Sequence, residues 1–279
     1  MRMREGYRWA ASSMFLLMAT SCKSPAKPTE AVVSEPTVPS ASAGPADVMV
    51  PFVGCASDGQ QGAQPAPTGA PRRFVLSPDL AGQVAYYVGD NDFGVLGPKG
   101  WTCFVTEGSN GNTLYVSPEQ VGASQLLSTD NRWKGFIGPA IELSYRSGST
   151  SGRFEVARVI ARLFPRRMGF VRSVITEKIS GLSDRKNFPT GKYPTDQYSY
   201  KTPDLVEFVT PAGKAGFGTD SWLLPNDQAI EGMAMISGDG VNEDVDLTEL
   251  VLRLSVNQQA LLPLILKQVE TDATTRPEE

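Results

Sequence analysis

The chain has 279 residues, with 26 basic and 30 acidic side chains and no histidine. Without histidine it lacks the usual general base near neutral pH, which excludes Ser-His-Asp and Cys-His nucleophile systems and HExxH zinc chemistry. The acidic balance argues against a nucleic-acid partner, which needs a basic face to release counterions.

Arg2, Arg4 and Arg8 precede an apolar run over residues 9–19, and the small residues Ala19, Thr20 and Ser21 close it. A positive, an apolar and a small-residue part in that order make a secretory signal over residues 1–21. The run is well short of the roughly 20 apolar residues a spanning helix needs, so it is expected to be removed. Ala19-Thr20-Ser21-Cys22 resembles the lipobox of bacterial lipoproteins, with Ala19 where leucine is usual. The resemblance implies that Cys22 is acylated, palmitate included, and anchors the mature chain to a membrane; Lys23 in place of Asp points to the outer membrane. Several acyl chains hold far more firmly than one. Plain cleavage after Ser21, leaving a free thiol, is the alternative.

Residues 23–47 contain no aromatic side chain and are dominated by Pro, Ala, Ser, Thr, Val and Glu. Such a stretch buries too little surface to offset its ordering entropy, so residues 22–47 are expected to be a lipidated cysteine and a flexible tether. Residues 48–270 are expected to form one globular domain and residues 271–279 a frayed polar tail. If Cys22 is lipidated, Cys55 and Cys103 remain. An oxidising envelope favours their pairing, with two buried thiols as the alternative. Two cysteines without histidine do not complete a tetrahedral metal site.

Along the domain, strands are expected over 48–53 and 73–76. Ser77-Pro78-Asp79 opens a helix expected to run to Tyr87. Strands follow at 95–96, 101–106 and 113–117, the last two joined by the turn signal EGSNGN, and a short helix at 121–127. Residues 140–146 alternate as a half-buried strand, and 153–164 form the clearest helix, stopped by Pro165. Residues 170–177 fit either a strand or a helix, and 180–203 read as a long surface loop. Strands at 205–210, 231–236 and 247–254 lead to an amphipathic helix over 258–269, with Pro263 inside it. Strands outnumber helices without strict alternation, which predicts an α+β fold with a mostly antiparallel sheet.

The turn from Ser149 through Thr150, Ser151 and Gly152 to Arg153 sits at a helix start, where backbone N–H groups can receive an anion or a glycan. GSTSG also mimics a nucleophile elbow with Thr150 at its centre, but no histidine serves it. The plainer reading is a helix cap and two turn glycines. Ser183 and Lys186 spell S-x-x-K in a loop, without companion motifs, a chance match. The acidic run from Gly238 to Asp246 departs from the EF-hand spacing and reads as a solvated turn. Tyr86, Tyr87, Trp101, Trp133 and Trp222 suit sugar stacking or, more commonly, core packing. Tyr193, Tyr198 and Tyr200 lie among polar residues, where rings are available to a partner.

FVGCASDGQ, GVLGPKGWTCF, TSGRFEVARVIARLFP and the closing VLRLSV…LLPLIL resemble a family of uncharacterised bacterial exported lipoproteins. The resemblance implies an envelope location and a Cys55–Cys103 pair, and brings no activity, cofactor or metal. The expectation is a non-enzymatic lipoprotein of the envelope, binding an envelope protein or cell-wall glycan. The alternative is a glycan or peptide hydrolase with paired carboxylates, for which Glu142, Glu155 and Glu207 are the available acids.

Overall fold

The structure is a computed structural model that describes residues 44–89, 93–128, 132–238 and 245–275. The signal segment, Cys22, the tether up to residue 43, residues 239–244 of the acidic turn and the last four residues lie outside the described residues. All described residues belong to one compact unit.

Strand β1 (Ala46–Val50) and β2 (Phe52–Gly54) are separate, because Pro51 between them has no N–H for a ladder. β3 (Ala56–Gly59) and β4 (Arg72–Leu76) follow. Helix α1 covers only Pro78–Ala81, and the expected continuation to Tyr87 is instead the buried strand β5 (Val84–Val88). Gly82 closes the short helix, and the β-branched and aromatic run VAYYV packs on both faces of a strand. β6 (Gly94–Pro98), β7 (Thr102–Gly108), β8 (Gly111–Ser117), the one-turn helix α2 (Ala123–Leu126) and β9 (Ala140–Arg146) come next.

Helix α3 (Arg153–Leu163) ends before Pro165, and α4 (Met168–Thr176) shows residues 170–177 to be helical. The expected loop over 180–203 ends in a strand, β10 (Gln197–Thr202), which pairs with β11 (Leu205–Thr210). β12 (Ile230–Ser237) and β13 (Asp246–Arg253) complete the sheet. The closing helix α5 (Leu262–Thr275) follows a 3-10 turn over Val256–Leu261, so Pro263 lies in its first turn, where its missing N–H is harmless. Residues 271–275, expected in the frayed tail, are the last turn of α5.

One sheet has the order β10-β11-β12-β13-β9-β8-β7-β3 and is antiparallel throughout except for the β3–β7 pair. A second has the order β2-β5-β6, and β1 pairs with β4 alone. The fold is therefore α+β with a mostly antiparallel sheet. Alternation along the large sheet divides the core in two. Val206, Phe208, Ala234 and Val251 face α3 and α4, meeting Phe154, Ala157, Ile160 and Phe170. Leu205, Met233, Leu250, Ile141 and Leu143 face the other way, meeting Tyr86, Leu96, Ile265 and Val269. The layers are thus a helix pair, the large sheet, and the small sheet with α5.

Cys55 and Cys103 form a disulfide, with their Cα atoms 5.2 Å apart. It ties the end of β2 to β7. Closing a loop of 48 residues' separation restricts the unfolded chain by about 4 kcal/mol in the chain-entropy model.

Candidate functional site

Glu142 lies between Ile141 and Leu143, so it points to the helix side of the sheet when they point away. The register sets Glu142 opposite Val251 on β13, and Ser144 opposite Glu249. Glu142 and Glu249 are therefore diagonal neighbours on one face, a separation of about 7–8 Å or somewhat less. Tyr115 of β8 stands opposite Glu142 on the other side. Only 8% of Glu142 is exposed, whereas Glu249 is half-buried.

The backbone N–H of Trp222 donates to Glu142 Oε2 at 3.0 Å. Glu249 is paired through its backbone within the sheet, but among the described residues no hydrogen bond reaches its carboxyl. Arg146, at the end of β9, pairs with Glu155 of α3 at 2.8 Å and donates to Thr113 Oγ1 at 2.7 Å. Burial raises the Glu142 carboxyl to about 7, against the opposing pull of the Trp222 N–H and Arg146. Burial, with the charge of Glu142 added to it, raises Glu249 to about 8. Burial, then Glu142, pushes the Tyr115 hydroxyl up as well. Two adjacent carboxyls that titrate near neutrality present one protonated acid beside one carboxylate, the pattern of general acid and base or nucleophile.

Trp222 is positioned from beneath. Arg253 is 1% exposed, and its guanidinium donates to the carbonyl oxygens of Phe136, Ile137, Gly138 and Leu224 at 2.7–3.1 Å. Phe136 N–H donates to Trp222 O at 2.7 Å, and Leu224 N–H to Phe136 O at 2.9 Å. Trp133 packs on Trp222 with ring centroids 5.2 Å apart. One buried cation thus organises the two loops that bring the Trp222 N–H to Glu142.

The tyrosines expected to be available to a partner form a strap. Tyr193 donates to Asp220 at 2.8 Å, Tyr198 to Asp196 at 3.0 Å and Tyr200 to Leu163 O at 2.6 Å. Arg162 of α3 lies 4.2 Å from the Tyr193 ring centroid. Each hydroxyl is engaged within the chain, because β10 returns this segment to the end of α3. Tyr86 and Tyr87 are core residues, while Trp101, Trp133 and Trp222 are partly buried against it.

The structure places the other sequence-derived residues as follows. Thr150 donates to Ser147 O at 3.0 Å and accepts from Gly152 N–H, while Ser149 pairs with Ser147 and Ser151 with Ser109. Arg153 holds Glu177 with Nε and Nη2. The polar groups of this turn thus bond to one another, to Ser109 or to Glu177. Ser183 is buried, whereas Lys186 is exposed and pairs with Asp184 at 3.3 Å, so the S-x-x-K spelling forms no couple. Glu207 lies between Val206 and Phe208, hence on the face opposite Glu142, and pairs with Lys201 at 2.8 Å. Arg146 pairs with Glu155, and its charge also acts on Glu142. Glu249 was not legible as a partner, although an acid inside the apolar run of β13 is its one sequence signal.

Among the described residues, no group of three or more His, Cys, Asp or Glu is placed to hold a metal ion. No described helix is long and apolar enough to cross a membrane. No family model, curated protein or solved structure matches the chain.

Proposed function

We propose that this protein is a bacterial lipoprotein, exported, acylated at Cys22 and held at the outer membrane, whose folded domain is a binding module for an envelope component. The Cys55–Cys103 disulfide is the observation that supports this reading, since such bridges persist in oxidising compartments. The partner is an envelope protein or a cell-wall glycan; the acidic surface does not suit nucleic acid. Replacing Cys22 with Ser is expected to move the protein from the membrane to the soluble fraction and to abolish labelling with palmitate. Unchanged, detergent-dependent extraction of that variant would refute the anchor.

A second reading, a hydrolase acting on envelope glycans or peptides, is favoured by the Glu142–Glu249 pair. Burial tunes both acids towards neutral pH, and the charge of Glu142 adds to the effect at Glu249. Binding leads because Glu142 is almost enclosed and already accepts the Trp222 N–H. Incubating the purified protein with cell-wall glycan separates the two. Product release that disappears in both Glu142→Gln and Glu249→Gln would establish the hydrolase; retention of intact glycan would support the binder.

A further inference from the structure

A cavity of about 530 Å³ opens on the small-sheet side of the molecule, away from the acid pair, with Phe52, Pro67, Gly69, Arg72 and Tyr86 among its walls. This size lies within the range of small-molecule sites. Its rim is built by close approaches that only glycine allows. A Cβ on Gly54 would overlap the Pro67 carbonyl oxygen, and one on Gly69 would come within 2.7 Å of the Phe52 ring. The loop over 67–71 therefore lies directly on β2, and the disulfide at Cys55 fastens the same strand to β7.

Among the described residues that line the cavity, the charged one is Arg72. It donates to the Tyr86 hydroxyl at 2.6 Å, which in turn donates to Asp272 at 3.1 Å. Its guanidinium lies 4.7 Å from the Tyr86 ring centroid, and Nη2 is 3.7 Å from Asp272. Gln268 donates to the same carboxylate at 2.9 Å and is itself held by the N–H of Leu96. Arg72 is thus held at one side by a network anchored in α5, while its side chain remains 42% exposed. A planar guanidinium with free N–H groups is matched to a carboxylate or sulfonate. Beside it, the Phe52 ring and Pro67 offer an apolar wall to a flat body.

We infer that this cavity binds a small organic anion with a flat apolar body, its anionic group on Arg72 and its body against Phe52. The assignment goes beyond the envelope-protein or glycan partner of the binding-module reading, and it is independent of the anchor, which fractionation of Cys22→Ser tests by itself. The test uses the secreted, otherwise full-length Cys22→Ser protein and the fluorescent probe 8-anilinonaphthalene-1-sulfonate. Saturable binding with one site per chain is expected, weakened at least tenfold by Arg72→Gln and several-fold by Phe52→Leu. Arg73→Gln, at the neighbouring exposed pair with Asp47, should bind as the parent does. The neutral analogue N-phenyl-1-naphthylamine, tested on the parent alone and so free of any folding defect, should bind at least tenfold more weakly. No saturable site, equal binding of the neutral analogue, or unchanged affinity in a folded Arg72→Gln would each overturn the assignment.

Discussion

The two faces of the large sheet divide chemistry from space. On the helix side, Glu142 and Glu249 are crowded by α3, Arg146 and the Trp222 loop, and burial is the main cause that moves both acids towards neutral pH. On the small-sheet side the notable charge is Arg72, left half-open above a cavity that a proline-rich loop bridges without filling. Reactive character comes from desolvation, which requires close packing, whereas ligand capacity requires packing to stop. In this fold the large sheet carries the acid pair, and the small sheet on its other side walls the cavity.

The comparison breaks most severely at Arg253. Arg253→Leu leaves four backbone carbonyls without their shared donor and is expected to lower stability by roughly 5 kcal/mol, within the range for breaking a buried charged network. Denaturant titration measures the loss, and a detached Trp222 loop should also shift Trp fluorescence. On the cavity side, a Cys55→Ser, Cys103→Ser double variant should lose about 4 kcal/mol through the unfolded chain and weaken probe binding through a looser β2. A double variant of parental stability would remove the disulfide from the account of the cavity.

A smaller effect sharpens the acid side. Glu142 and Glu249 keep their protons when folded up to about pH 7 and 8, while in the unfolded chain they lose them near 4.5. The cost of ionising them is absent below pH 4.5, grows as pH rises from there to 8, and is complete above that. Glu249→Gln should therefore match the parent near pH 4.5 and exceed it at pH 8.5 by about 1–2 kcal/mol, a few degrees in Tm. Parallel stability curves for the two proteins would show that Glu249 ionises freely. The smallest effect is at the Ser149–Arg153 turn: Arg153→Gln loses its surface pair with Glu177 for about 0.5–1 kcal/mol.

Local chemistry made much of the fold legible. The alternation of 140–146 and the apolar stripe of 153–164 yielded the bounds of β9 and α3 with little error, because each pattern has a single period and a clear stop; the expected half-burial of β9 fails, since the helix pair covers its polar face and residues 140–144 are buried on both sides. The failures have physical causes. Ser77-Pro78-Asp79 is a sound helix start, but tertiary packing on both faces claims VAYYV for a strand. Residues 197–202 look polar because β10 is an edge strand with mostly exposed side chains. Glu142 was visible as an acid on the polar side of an alternating strand, yet its partner lay 107 residues further along the chain. Only the register of β9 with β13 selects Glu249 and sends Glu207 to the opposite face.

Residue types and spacing along the chain determined the export-like leader, the absence of histidine chemistry, the likeness to a lipobox at Cys22 and the class of fold, since each is a property of neighbours in sequence. The pairing of carboxyls, the burial of Arg253 and the hollow beside Arg72 were decided by tertiary structure alone. Proton affinity and empty volume both depend on which atoms exclude water from a group. Those atoms come from strands and loops far apart in the chain.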